Sequence, residues 1–333
     1  MKVSSGIYLP ISLKRKNIPM RSCQLAGCGE SIRDFACAFP TEKTALEHLF
    51  DRRFGPRCPC RHCGRPLRWN PGELDRKCFL TACCGRNFHP RAGTFASCSN
   101  IELRKWFLGL LLFSNANGMI STKFLGRHLG LSDKSSRRIA KWIRAHHTAL
   151  ALLGRTPLEG TVYIDEMTMR AVTDDSCTRD APVQIFGIAS AQEVRFFCIP
   201  NRKWATLLPI IERNVVKGTR VVADGLAAYD GIGEAGYVPS RVYHSRGQWV
   251  NERGDCTAMI ETCWRTLRYR IQGVHRHVRS DYLWSYIGQQ MFIINCRKAG
   301  LSPFWESVCA YPPVRTLVGR LRGEIDLRTS GWT

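Results

Sequence analysis

The stretch that decides the fold is Thr219-Arg-Val-Val-Ala-Asp224-Gly-Leu-Ala-Ala-Tyr229. Val221, Val222 and Ala223 form a short apolar run, the pattern of a strand covered on both faces. Asp224-Gly225 then breaks it, with glycine supplying the free backbone of a turn. An Asp-Gly pair alone is a common surface turn. Here two other carboxylates stand in matching settings. Asp165 ends the apolar strand Val162-Tyr-Ile-Asp165, and Glu261 sits in Met259-Ile-Glu261-Thr-Cys-Trp264.

Outward from that stretch, residues 161–300 alternate strands and helices. Strands are expected over 161–170, 182–190 and 193–200, then a helix over 204–216 with Leu207, Leu208, Ile211 and Val215 on its apolar face. The strand at 219–223 follows, then one at 241–244, and helices over 259–272 and 281–298. This order predicts an α/β RNase H-like core, a mixed sheet with flanking helices. In such a core the first and fourth strands lie side by side, so Asp165 and Asp224 converge.

Strand alternation keeps Asp165 and Glu166 on opposite faces. On the Glu261 helix, Ile260, Cys263, Trp264, Leu267 and Ile271 form the buried stripe, and Glu261 lies at its edge. Arg268 is seven residues on, two turns along the same face, about 10 Å away. Three ionised carboxylates without a nearby lysine repel one another. Hard divalent cations with oxygen ligands, Mg²⁺ or Mn²⁺, resolve that and leave room for phosphate. Trp249 and Trp264 read as packing residues, and His244 as a loop residue beside the site.

The chain has 333 residues, which implies two or three domains, and a net charge of +22. Residues 1–150 hold 26 Lys/Arg against 9 Asp/Glu, whereas residues 151–333 hold 23 against 18. The first half is therefore built for a polyanion, double-stranded DNA, and the second carries its carboxylates for another purpose. The most apolar run, Trp106 to Phe113, is too short to span a bilayer, so no membrane role is expected. A reducing compartment is inferred, and the sixteen cysteines, ten of them before residue 99, point to metal rather than disulfides.

That metal is placed in a zinc ribbon at 55–99. Cys58-Pro-Cys60-Arg-His-Cys63-Gly64 is followed by Cys78 and by Cys83-Cys84-Gly85. Cys60 and Cys63 make the first knuckle. The second is Cys78 with Cys83 or, in its place, Cys84. Four thiolates suit one structural Zn²⁺ and leave no open position for catalysis. Before the ribbon lies an N-terminal arm, 1–54, with a short helix over 41–54 capped by Thr41.

Residues 100–150 read as helices: one from a cap at Asn100 to about Ser114, then a helix, the turn at Gly130, a Ser132 cap and a second helix. This is a helix-turn-helix layout. Lys134, Arg137, Arg138, Lys141 and Arg144 are left for the outer faces of the second helix, which suits DNA. A linker precedes the RNase H-like domain at 160–300, and 301–333 reads as an appended C-terminal tail.

The carboxylate spacing, with 58 residues between Asp165 and Asp224 and 36 between Asp224 and Glu261, resembles that of DDE transposases. The closer resemblance is to insertion-sequence transposases with a zinc ribbon and an RNase H-like core, the group related to Merlin elements. It rests on Tyr163-Ile-Asp165-Glu166, Ala205-Thr-Leu-Leu-Pro-Ile-Ile211, Gly218-Thr-Arg-Val-Val-Ala-Asp224, Ala228-Tyr229, His244-Ser245, Ile260-Glu261-Thr-Cys-Trp264-Arg-Thr-Leu-Arg268 and Arg91-Ala-Gly93-Thr94.

The resemblance implies a transposase that binds the terminal inverted repeats of a mobile element and cuts and joins DNA with two Mg²⁺ or Mn²⁺ ions. Asp165, Asp224 and Glu261 would be the metal ligands, with Arg268 in place of the family's usual lysine. A homodimer or higher oligomer on the element ends and on target DNA is expected, in the nucleoid of a bacterium or the nucleus of a eukaryote. One departure stands out. Where relatives show His-Thr-Asn or His-Thr-Gln before the Ile-Glu, this chain has Cys256-Thr-Ala258. The alternative reading is therefore a catalytically impaired or domesticated DNA-binding derivative.

Overall fold

In the computed structural model the described residues are 30–55, 58–60, 62–68, 79–116, 119–153, 155–172, 180–244, 247–275 and 278–314. The arm before residue 30, Cys78 and the chain beyond residue 314 lie outside them.

The N-terminal half is helical around a short ribbon. Helix α1 (Ile32–Ala38) is capped by Ser31 and α2 (Glu42–Phe54) by Thr41, the expected cap. Strands β1 (Phe79–Leu80) and β2 (Asn87–Phe88) pair antiparallel as the ribbon hairpin. Helix α3 (Leu103–Asn115) begins later than the Asn100 expectation, and its cap comes from elsewhere. Glu42 accepts from the backbone N–H groups of Leu103 and Arg104, both at 2.8 Å. A carboxylate sixty residues upstream thus satisfies the orphan donors at the positive end of α3.

Helix α4 (Thr122–Leu129) ends at Gly130, which takes the left-handed conformation (φ 61°), and Ser132 caps α5 (Asp133–Leu152) as expected. Helix α5 runs to Leu152, through part of the stretch read as a linker.

Five strands form the larger sheet: β3 (Thr161–Val172), β4 (Asp180–Ala189), β5 (Val194–Ile199), β6 (Arg220–Asp224) and β7 (Val238–Val242), in the order β5-β4-β3-β6-β7. Helix α6 (Trp204–Asn214) joins β5 to β6. Strands β3, β4 and β5 are antiparallel neighbours, and β6 and β7 run parallel to β3. Strand β7 starts three residues before its expected position because Pro239 lies within it. On an edge strand the missing N–H can face away from the ladder.

Helices α7 (Ala258–Gln272) and α8 (Ser280–Lys298) cover one face of the sheet, where Met167, Met169, Ile185, Ile260, Leu267 and Ile287 are buried together. Helix α6 covers the other, with Val162, Ile164, Leu207, Ile211 and Val221. This is the RNase H-like arrangement. Helix α8 also packs along α5, so the two halves share a helical seam. At Gly288 a Cβ would overlap Thr148 of α5, so only glycine permits this approach.

Residues 301–314 differ from the tail expectation. Helix α9 (Pro303–Cys309) is built into the N-terminal core, where Phe304 is buried with Phe35, Phe39 and Phe107. The ring nitrogens of His146 and His147 pair with the carbonyl and hydroxyl oxygens of Ser307, and His48 pairs with the carbonyl of Val308. Burial pushes His146 and His48 down to about 4, so both are neutral at pH 7.

Candidate active site

Asp165 and Asp224 stand side by side because β3 and β6 share a register. Thr161 pairs with Arg220, Val162 with Val221 and Tyr163 with Val222, and each Asp lies two residues beyond the last of these pairs. Directly opposed residues share a face. The face of Tyr163 and Asp165 is the one under α7, which carries Glu261. Asp224 also opens the expected turn, its Oδ1 accepting the backbone N–H of Leu226 at 3.0 Å.

Trp264, one turn beyond Glu261, donates its indole Nε1–H to Oδ2 of Asp165 at 2.9 Å. Space for this ring comes from Gly187, the partner of Asp165 on β4, where a Cβ would overlap the indole. Trp264 packs as expected, and it also holds the first carboxylate. Glu261 accepts from Thr257 Oγ1 at 2.5 Å, and Thr257 Oγ1 is in turn 2.9 Å from Nε2 of His244. Thr257, at the N-cap one turn before Glu261, and His244, 3.6 Å from the same carboxylate, flank the site.

Burial raises the Asp165 carboxyl to about 6, opposed by the Trp264 bond and reinforced by the charges of Asp224 and Glu261. The three carboxylates therefore feel one another across the site. Glu166 is raised to about 7, again by burial first. It faces α6, as alternation requires, and accepts the hydroxyl hydrogen of the fully buried Tyr229. Sequence reasoning set Glu166 aside, yet it lines the cleft; Asp165, read as the end of an apolar strand, stands within β3, which continues to Val172.

That cleft, of about 870 Å³, is lined by Asp165, Glu166, Glu261, Trp264, Arg265 and Arg268, among others. Asp224 does not line it and stands beside Asp165 in the sheet. Among the described residues neither Asp165 nor Asp224 has a Lys or Arg ion-pair partner. An all-oxygen donor set with mutual repulsion and no resident cation fits a hard divalent ion.

A second metal-type group lies in the ribbon. The sulfurs of Cys60, Cys63, Cys83 and Cys84 all lie within 4.8 Å of one another. The Cys60 and Cys84 sulfurs are 3.7 Å apart, close to the edge of about 3.8 Å for a tetrahedron with 2.3 Å zinc–sulfur bonds. The Cys₄ cluster fits a zinc ribbon, with both Cys83 and Cys84 beside the first knuckle; Cys78, expected in the second, lies outside the described residues.

On α5, Lys134, Arg137, Arg138 and Lys141 are exposed, as expected. Arg144 is not, and its outward assignment is corrected. It is 4% exposed, with its guanidinium 4.0 Å over the ring of Tyr286 and 5.5 Å from that of Phe113. The helical period carries position 144 into the seam with α8. Trp249, read as packing, is also corrected: it is 65% exposed, its ring 5.0 Å from that of His244.

Residues 157–295, which span the sheet with α7 and most of α8, match the family model described as an ISXO2-like transposase domain. An uncharacterized protein in transposable element ISH50 of Halobacterium salinarum is 26% identical over 275 residues, covering 75% of this chain and 89% of the relative. These matches support the DDE transposase resemblance that the carboxylate spacing carries.

Proposed function

From the match of residues 157–295 to an ISXO2-like transposase domain, we propose that the chain binds the terminal inverted repeats of a mobile element and catalyses metal-dependent cleavage and strand transfer there. The observation that carries this reading is the shared register of β3 and β6, which sets Asp165 beside Asp224 under the helix that bears Glu261. These three would hold two Mg²⁺ or Mn²⁺ ions. When bound, such a pair stabilises the attacking and leaving oxygens of an in-line displacement at phosphorus.

The chain's own residues supply the rest. Trp264 orients Asp165, and Thr257 orients Glu261. Arg265 and Arg268, exposed along the cleft, meet the phosphates flanking the cut. Lys134, Arg137, Arg138 and Lys141 on α5 bind the repeat, and the four-cysteine ribbon holds one structural Zn²⁺. Two ends must meet for joining, so a dimer or larger assembly on DNA follows, acting in a nucleoid or a nucleus. No helix among the described residues is long and apolar enough to cross a membrane.

A second reading, DNA binding without chemistry, draws on Ala258. It is exposed on the first turn of α7 and offers only a methyl group three residues before Glu261. One experiment separates the two: Mg²⁺- or Mn²⁺-dependent cleavage and strand transfer on DNA carrying the repeats that flank the coding sequence, with Asp224→Ala as control. Activity lost in the variant supports the transposase. Tight binding to the repeats without cleavage under either metal supports the second reading.

A further inference from the structure

Trp249 is the one exposed tryptophan among the described residues, at 65%, whereas Trp106 and Trp264 are at 0% and 6%. Its neighbour Val250 is 55% exposed. Two adjacent apolar side chains are thus left in water, and one is an indole, a ring type enriched at interfaces.

The loop that presents it is tightly braced. Asn251 Nδ2 donates to Ser240 Oγ at 2.8 Å and to the carbonyl of Arg241 at 3.2 Å. Its Oδ1 accepts the backbone N–H groups of Arg253 and Asp255. The buried carboxylate of Asp255 accepts from Arg220 at 2.6 Å and Ser240 at 2.5 Å. The loop is thus anchored to β6 and β7 immediately after the indole, so the ring is held out by construction.

Its place is informative. The indole lies 5.0 Å from the His244 ring, tilted by 31°, and His244 Nε2 lies 3.6 Å from Glu261 Oε1. The indole is therefore one ring away from the third carboxylate. A phosphate at the carboxylates would put its own base within reach of such a ring.

We propose that Trp249 is a stacking platform for an unpaired nucleobase of the DNA strand whose phosphate lies at Asp165, Asp224 and Glu261; this rests on the function proposed above. A base inside a duplex cannot reach an indole, so the nucleotide beside the cut leaves the stack. Stacking on an aromatic face tolerates any base, so Trp249 selects for an opened strand rather than for a sequence.

The test uses duplexes carrying the flanking inverted repeat, with 2-aminopurine placed singly at successive positions around the cut. Wild type, Trp249→Phe and Trp249→Ala are compared for fluorescence and affinity without added Mg²⁺, and for cleavage with it. The indole is mostly in solvent, so both variants are expected to fold, and matching melting curves check this. In the wild type one position is expected to respond. In Trp249→Ala the quenching by the indole is lost at that position, and affinity for a duplex with an unpaired base there falls roughly ten- to hundredfold. Trp249→Phe retains most of both.

An unchanged fluorescence pattern and affinity in Trp249→Ala, with cleavage intact, would overturn this inference and leave the transposase reading standing. Loss of self-association in Trp249→Ala with the DNA pattern preserved would overturn it in favour of a contact between copies. A wild type that binds no repeat DNA would overturn both.

Discussion

Trp264 donates its indole N–H to Asp165 at 2.9 Å from the same helix that carries Glu261, through a gap that Gly187 leaves in β4. The helix that carries Glu261 thereby also positions Asp165 on β3. Trp264→Phe keeps most of the packing and removes the bond to a charged acceptor, worth about 1.5–3 kcal/mol. Cleavage at limiting Mg²⁺ is expected to drop roughly tenfold or more, with the acid limb of the pH profile displaced upward as Asp165 loses its stabilising donor. Gly187→Ala is expected to show the same phenotype by pushing the ring aside. An unmoved acid limb in both variants would disprove the orienting role.

The pH dependence of stability follows from burial. Asp165 and Glu166 hold their protons more tightly in the folded state, up to about 6 and about 7. Their contributions are complete below about pH 4 and are lost as pH rises through those values. Each is on the order of 3 kcal/mol at 1.36 kcal/mol per pH unit. In metal-free protein these two carboxyls therefore contribute a falling slope between about pH 4 and 7, opposed by the buried His48 and His146, whose lowered values add stability as pH rises over the same range, and Asp165→Asn with Glu166→Gln is expected to remove the falling part. Urea titrations across this range measure it. A double variant with the wild-type slope would refute the assignment.

For the ribbon, about one zinc per chain is expected, lost in Cys60→Ser, Cys63→Ser, Cys83→Ser and Cys84→Ser. Four sulfurs are already gathered without Cys58, so Cys58→Ser is expected to retain the metal. Zinc content by atomic absorption decides between these ligands, and full occupancy in Cys84→Ser would rule out the adjacent pair.

The basic residues of α5 divide by exposure. Arg137→Ala or Lys141→Ala is expected to leave stability nearly unchanged and to reduce the salt dependence of DNA binding by about one phosphate contact. Arg144→Ala is expected to cost about 2–4 kcal/mol by emptying the space between Tyr286 and Phe113, with the salt slope unchanged. Arg144→Met, which refills that space without a buried charge, is expected to recover most of the loss.

Helix α9 closes the N-terminal core. Phe304→Ala removes a ring packed against Phe35, Phe39 and Trp305 and is expected to cost about 3–5 kcal/mol. Thermal melts check this, and a change below about 1 kcal/mol would contradict an integral role for α9.

Much of the fold was legible because its signals are local. The apolar runs ending at Asp165 and Asp224, the Thr41 and Ser132 caps and the stripe of α7 each need only a few neighbouring residues to be read. The β7 start was not, because Pro239 argues against a strand until the edge position is known. Nor was the cap of α3, since no local pattern points to a carboxylate sixty residues away.

The sequence by itself determined the order of elements and the chemical types they carry: three carboxylates on two strands and a helix, a cluster of thiols in a ribbon, and a basic helix after a glycine turn. These follow from periodicity, turn chemistry and ligand softness, which act over one or two turns of chain. Only the tertiary structure decided which of those groups meet. It turned Arg144 inward against α8 and left Trp249 in solvent. It brought Glu166 to the mouth of the cleft and built residues 303–309 into a core begun at residue 35. The reason is that burial is a property of what lies across the interface, and helix and strand periods give a face without naming its partner.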